Sequence, residues 1–142
     1  MLPLLSGEFG IVKEPELTFT SKGDARLKLR VLAKDRVRDA NGKWSDGSPW
    51  FADVIVWGKT AEHMFESIAS GDTVVIANAK AEQYDYVDKE GNKRTNSQFV
   101  AEMIGVSVKW GPVKTRRAEE NSISTVVDML GATPVQAEMS PF

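Results

Sequence analysis

Up to about Lys109 the chain is a succession of segments in which apolar and polar positions alternate, the period-two signature of half-buried β-strands. Leu4 to Val12 reads as a short strand punctuated by glycine, and Lys13 to Gly23 as a turn-rich segment broken by Pro15 and Gly23. The alternation is clearest from Ala25 to about Asp35. There Leu27, Leu29 and Val31 project from one face, and Arg26, Lys28 and Arg30 from the other. Asp39 to Gly47, with its Asn-Gly and Asp-Gly pairs, predicts a loop. Trp50 to Trp57 is rich in β-branched and aromatic residues and predicts a third strand. Its parity turns Ala52, Val54 and Val56 toward a core, with Trp50 as a structural tryptophan. Phe51, Asp53, Ile55 and Trp57 take the opposite face.

At Thr60, a candidate N-cap, the period becomes helical. Ala61, Met64, Phe65 and Ile68 form one apolar stripe, and Gly71 offers a C-terminal stop. Asp72 to Asp88 predicts a fourth strand, with Tyr84 and Tyr86 on one outward face. A hairpin turn over Lys89 to Lys93 leads into a fifth strand from Arg94 to Lys109. Past Gly111-Pro112 the pattern fails. Residues 1–112 are therefore expected to form one domain and 113–142 a flexible C-terminal tail, with a small apolar island from Ile123 to Leu130. Five strands with a single helix between the third and fourth predict an all-β OB-fold, a partly open five-stranded Greek-key barrel.

Between Lys22 and Arg38 there are seven cations against two carboxylates. A Lys- and Arg-rich strand face is often only a solvated surface, or an edge guarded against aggregation. The aromatic residues change that reading. Rings spaced along a cationic sheet face are what single-stranded nucleic acid requires, since bases stack on the rings while Lys and Arg track the backbone. The candidate phosphate contacts are Arg26, Lys28, Arg30, Arg36 and Arg38, with Lys59, Lys80, Lys93 and Arg94 as secondary ones. The candidate stacking residues are Phe51, Trp57, Tyr84 and Tyr86. Trp44, in the Gly-containing loop, reads either as a tip that closes over the strand or as an anchor that folds the loop down.

Net charge is only −2, which excludes a uniformly basic nucleic-acid binder and leaves the site to local arrangement. The absence of cysteine excludes disulfides and Cys-based zinc sites. The segment Met1 to Gly7 is too short and uncharged for a secretory signal, and no apolar run approaches the roughly 20 residues of a membrane span, so a cytoplasmic protein without membrane contact is expected. Catalysis finds no constellation. The single histidine, His63, falls on the helix beside Met64; the carboxylates lie in turns and strand ends without metal-ligand spacing; no phosphate-cradling loop or nucleophile elbow occurs. Neither an enzyme nor a cofactor nor a bound metal is expected.

In the order of its motifs the chain resembles the bacterial-type single-stranded DNA-binding proteins over about Gly7 to Lys109. The matching pieces are Gly7-Glu-Phe9 with Pro15-Glu-Leu17, Arg38-Asp-Ala-Asn-Gly-Lys-Trp44, Gly71-Asp-Thr-Val-Val-Ile76 and Asp88-Lys-Glu-Gly-Asn-Lys-Arg94. Trp57-Gly-Lys-Thr-Ala-Glu62, at the junction of strand and helix, is the most specific. The resemblance implies a homo-oligomer that coats and protects single-stranded DNA in replication, recombination or repair, with stacking at Phe51, Trp57 and Tyr86. It also implies that Pro141-Phe142 would dock replication or repair proteins. Five features depart from the family pattern: Val37 where an aromatic is usual, Asp53 where a cation would help, two extra residues between Gly10 and Pro15, a short leading strand where the family pairs subunits, and a single carboxylate, Glu138, in the last ten residues. Such departures suit a divergent, phage-encoded member. The alternative is an OB-fold interaction module of a replication or recombination assembly with little DNA affinity of its own, which Asp53, Val37 and the near-neutral charge favour.

Overall fold

The first predicted strand becomes β1 (Leu4–Ile11), and the turn-rich segment after it contains a short strand, β2 (Glu16–Phe19). The cationic strand is β3 (Ala25–Ala33), continued by β4 (Arg36–Arg38); β5 (Trp44–Asp46) and β6 (Trp50–Trp57) follow. Then come the helix α1 (Gly58–Ser67), β7 (Thr73–Val87), β8 (Lys93–Val100) and β9 (Met103–Val106). These elements come from a computed structural model, which describes residues 1–121. Two compact units are present, Met1–Ser107 and a second beginning at Val108. Within the second, residues 116–121 are helical, and the Thr115 hydroxyl accepts the Ala118 N–H at 3.1 Å.

In the first unit β1, β3, β6, β8 and β7 follow one another around a closed ring, since β7 pairs back onto β1. All of these pairings are antiparallel except β6 with β8. The helix between β6 and β7 completes the expected five-stranded OB architecture. The core is the set the alternation selects: Leu27, Leu29 and Val31 of β3, Val54 and Val56 of β6, and Val74 and Ile76 of β7, with Phe9 and Ile11 of β1. No polar or charged residue is buried among those described.

Several boundaries differ from the expectation, each for a local reason. Lys13–Gly23 is not turn throughout. Leu17, Thr18 and Phe19 favour extended backbone and pair with Leu27, Arg26 and Ala25 of β3. The helix starts before Thr60. Trp57 is the N-cap and lacks a side-chain capping bond, while Gly58, at φ +74°, makes the strand-to-helix corner in a conformation that a Cβ would oppose. It also ends before Gly71: Ile68 turns extended so that its side chain joins the core beside Ala61 and Met64. Gly71 serves the turn into β7, donating its N–H to Ile11 O at 2.8 Å. Phe65, at the flank of the stripe, is exposed. The fifth predicted strand is split, because the chain bends at Ala101 to send that residue's N–H to Ile55 O at 2.9 Å. β7 bends as well. Asn78 adopts φ +55° opposite a register shift in β1, and its N–H is held by the Ser6 hydroxyl at 2.8 Å.

Three hairpins close in the same way, over residues 20–24, 39–43 and 88–92. In each, the first residue's N–H bonds the fifth residue's carbonyl, and the N–H of the glycine at the fourth position bonds the first residue's carbonyl. Gly23, Gly42 and Gly91 all have φ between +81° and +87°. The opening side chain locks the tip from within: Thr20 accepts the Asp24 N–H, Asp39 those of Asn41 and Lys43, and Asp88 those of Glu90 and Asn92.

Candidate nucleic-acid interface

Residues opposed across a ladder share a face, and the register of β3 on β6 therefore fixes what the outer surface presents. Arg26 opposes Trp57, Lys28 opposes Ile55, Arg30 opposes Asp53 and Leu32 opposes Phe51. The same face continues through β8 and β7. Ile55 is in register with Val100, Val100 with Lys80, Gln98 with Glu82, Asn96 with Tyr84 and Arg94 with Tyr86. Arg26, Lys28, Arg30, Phe51, Trp57, Lys80, Tyr84, Tyr86 and Arg94 are thus brought onto one continuous face. The rings of Phe51, Trp57, Tyr84 and Tyr86 are all exposed. Ile55 has the parity of this face yet is completely buried between the flanking rows, so it forms an apolar floor.

Arginines lie against the rings. The guanidinium carbon of Arg26 is 6.0 Å from the Trp57 ring centroid, that of Arg30 is 5.4 Å from Phe51, and that of Arg38 is 5.9 Å from Trp44. Tyr84 and Tyr86 stand side by side with centroids 6.1 Å apart, and the Asn96 amide donates to the Tyr84 hydroxyl at 3.1 Å. Carboxylates pair with several of the cations: Arg30 with Asp53 at 3.1 Å, Arg36 with Asp46 at 3.1 Å, Lys59 with Glu62 at 3.2 Å and Arg94 with Asp88 at 2.9 Å. Hydrogen bonds from Lys34 and then Arg36 hold the Asp46 carboxyl below the ordinary carboxylate range. Those from Arg94 and from the Asn92 backbone do the same for Asp88.

The remaining nominated residues lie elsewhere. Arg36 and Arg38 belong to a separate two-stranded arm, β4 with β5, where Arg38 opposes Trp44 and Arg36 opposes Asp46. Lys59 is on α1, outside the sheet rows. Lys93 opposes Val87, one residue out of phase with Tyr86, and so takes the other face of its hairpin. Pro141, Phe142 and the Ile123–Leu130 island fall outside the described residues. Trp50 is not a buried tryptophan: it is 46% exposed, with its ring centroid 6.3 Å from that of Phe9 and 6.2 Å from that of Phe99. It sits at the first rung of β6, where few neighbours remain to cover so large a side chain. In the second unit Trp110 is well exposed, with the Lys109 ammonium 5.0 Å from its ring.

The family model described as the single-strand binding protein family matches residues 5–107, the span of the barrel unit and of its whole sheet face. The chain belongs to that family. Among relatives of the single-strand binding protein family, a single-stranded DNA-binding protein of Mycobacterium leprae is 30% identical over 131 residues, covering 92% of this chain and 77% of its own. That of Paenarthrobacter aurescens is 32% identical over 113 residues, 79% of this chain and 66% of its own. The match to single-stranded DNA-binding protein 2 of Streptomyces coelicolor spans only 54% of that protein. Among solved structures, a small single-stranded DNA-binding protein from Streptomyces coelicolor superposes with a TM-score of 0.65 over 78% of this chain and 98% of its own, at 23% identity, a likeness of fold. A deletion variant of the single-stranded DNA-binding protein from Thermus aquaticus gives a TM-score of 0.56 over 75% of this chain and 52% of its own, at 25% identity.

Proposed function

We propose that the protein binds and protects single-stranded DNA, without strong sequence preference, through the face that β3, β6, β8 and β7 share, in replication, recombination or repair. The observation that carries this reading is the register of Arg26 with Trp57, which sets a cation and a stacking ring on one rung of an exposed sheet. Bases stack on Phe51, Trp57, Tyr84 and Tyr86, and phosphates follow the face of Arg26, Lys28, Lys80 and Arg94, on which Arg30 also lies, with Arg36, Arg38, Lys59 and Lys93 joining from the surrounding elements. It is a binding protein and not an enzyme, as its family is. No helix among the described residues is long and apolar enough to cross a membrane.

Residues 1–112 are the binding domain and 113–142 a tail that presents Pro141-Phe142 to replication or repair proteins. Copies of the chain assemble as a homo-oligomer in the cytoplasm. Titration of the intrinsic tryptophan fluorescence with oligo(dT), against duplex of equal length and over a range of salt, tests the binding. Quenching by the single strand, with log affinity falling linearly in log salt, is expected. The second reading, an interaction module with little DNA affinity, draws support from the carboxylates paired to Arg30, Arg36 and Arg94. An unquenched, salt-independent titration would select it.

A further inference from the structure

Most of the ion pairs around the face are surface pairs whose carboxylates can swing into water at little cost. The side chains of Asp46 and Glu62 are 48% and 35% exposed, and Asp88 is occupied in closing its hairpin tip. Asp53 is different. It springs from β6 in the interior of the sheet, between β3 and β8; its side chain is only 12% exposed, and its Oδ1 accepts from Arg30 Nη1 at 3.1 Å. Arg30 itself lies over Phe51, so the guanidinium is held by both a carboxylate and a ring.

We propose that Asp53 is an internal stand-in for a ligand phosphate. A guanidinium binds carboxylate and phosphate oxygens through the same charge-assisted hydrogen bonds, and Asp53 has no room to withdraw when a phosphate arrives. The Arg30–Asp53 pair therefore crosses the middle of the cationic lane as a neutral unit. It releases no DNA counterion, and Arg30 acts as a planar cover on Phe51 while Arg26 and Lys28 carry the backbone. Asp53 is thus a positioning residue that sets how steeply salt weakens binding. The inference rests on the sheet-face reading given above.

The test compares the wild-type chain, Asp53→Asn and the double variant Asp53→Asn/Arg30→Ala, each titrated with oligo(dT) at several salt concentrations and each checked by thermal melting. Asparagine keeps the shape and removes the charge, so Arg30 becomes free to take a phosphate. One added contact on a single strand steepens the slope of log affinity against log salt by about 0.7, equivalent to about fivefold tighter binding at 0.1 M salt. The doubly neutral variant should return to the wild-type slope, because the intact pair is electrostatically silent. An Asp53→Asn slope no steeper than wild type overturns the proposal, as does a double variant flatter than wild type by about 0.7. Failure of every protein to bind oligo(dT) overturns the sheet-face reading, and this inference with it. Binding with unaltered slopes overturns only the role of Asp53.

Discussion

Arg26 faces Trp57 directly across the β3–β6 ladder, its guanidinium carbon 6.0 Å from the centroid of the indole. The neighbouring rung repeats the logic with an apolar partner, Lys28 against the buried Ile55. At these two rungs a cation on β3 thus lies beside apolar surface on β6. A chain of charged backbone and flat bases would meet both.

The two tryptophans of β6 should separate binding from stability. Trp57→Ala removes an exposed ring from the cationic face and should weaken oligo(dT) binding by roughly 1–3 kcal/mol with little change in melting temperature. Trp50→Ala should chiefly lower stability, through lost contact with Phe9 and Phe99, and by less than the about 3–5 kcal/mol of a fully buried aromatic. Paired melting and fluorescence titrations decide this, and the opposite ranking would mean that the faces are reversed.

Adjacent residues of β3 should show opposite phenotypes. Leu29 is fully buried, so Leu29→Ala should cost about 2–5 kcal/mol in urea unfolding. Lys28→Ala should melt like the wild type while flattening the salt dependence of oligo(dT) binding by about 0.7.

The core was readable because period-two alternation in β3, β6 and β7 is imposed by burial on one side, and Leu27, Leu29, Val54 and Val74 could not have been polar. The cationic face was readable by the same parity. Parity gives a side and not a depth: Trp50 points inward against Phe9 and Phe99, yet stays half exposed at the end of its strand, where the barrel runs out of neighbours. Ile55 is the converse case, an outward residue covered by the rows on either side. Nor does any local pattern announce the Arg30–Asp53 bond, whose partners lie 23 residues apart and meet only through strand register. The split of the fifth strand at Ala101 likewise depends on a distant acceptor, Ile55 O.

Acid should loosen the β4–β5 arm and the tip of the β7–β8 hairpin before the rest of the barrel. The folded-state pKa values of Asp46 and Asp88 are depressed below 3.8, so their pairing is fully present above that value and is lost as pH falls through the lower, folded pKa. NMR titration should place both carboxyl midpoints below 3.8, with the Glu90 and Asn92 amides losing protection over the same interval.

Gly42→Ala and Gly91→Ala test the shared hairpin closure. Both positions sit near φ +80°, and each alanine should cost roughly 1–2 kcal/mol of local strain. Only at Gly42 does the new Cβ approach a side chain, 3.2 Å from Arg38 Nη2. That variant alone should also move Arg38 off Trp44 and shift the tryptophan emission.

Truncation after Pro112 should leave the melting temperature and oligo(dT) affinity essentially unaltered, since the compact barrel unit ends at Ser107. Loss of folding or of assembly in the truncated chain would show that residues 113–142 are structural.

The ring is not equally strong all round. β6 and β8 are in register only at Val54/Phe99 and Ile55/Val100, and β1 and β3 only at Gly10/Leu32 and Ile11/Val31, whereas β3–β6 and β7–β8 are laced from end to end. In hydrogen bonding this is a pair of well-laced plates joined along two narrow seams. Arg26, Lys28, Phe51 and Trp57 ride on one plate; Lys80, Tyr84 and Tyr86 ride on the other. A nucleic-acid strand laid across the face then works as a splint, and the Ala101 amide, bonded to Ile55 at the seam, should exchange more slowly once the splint is in place.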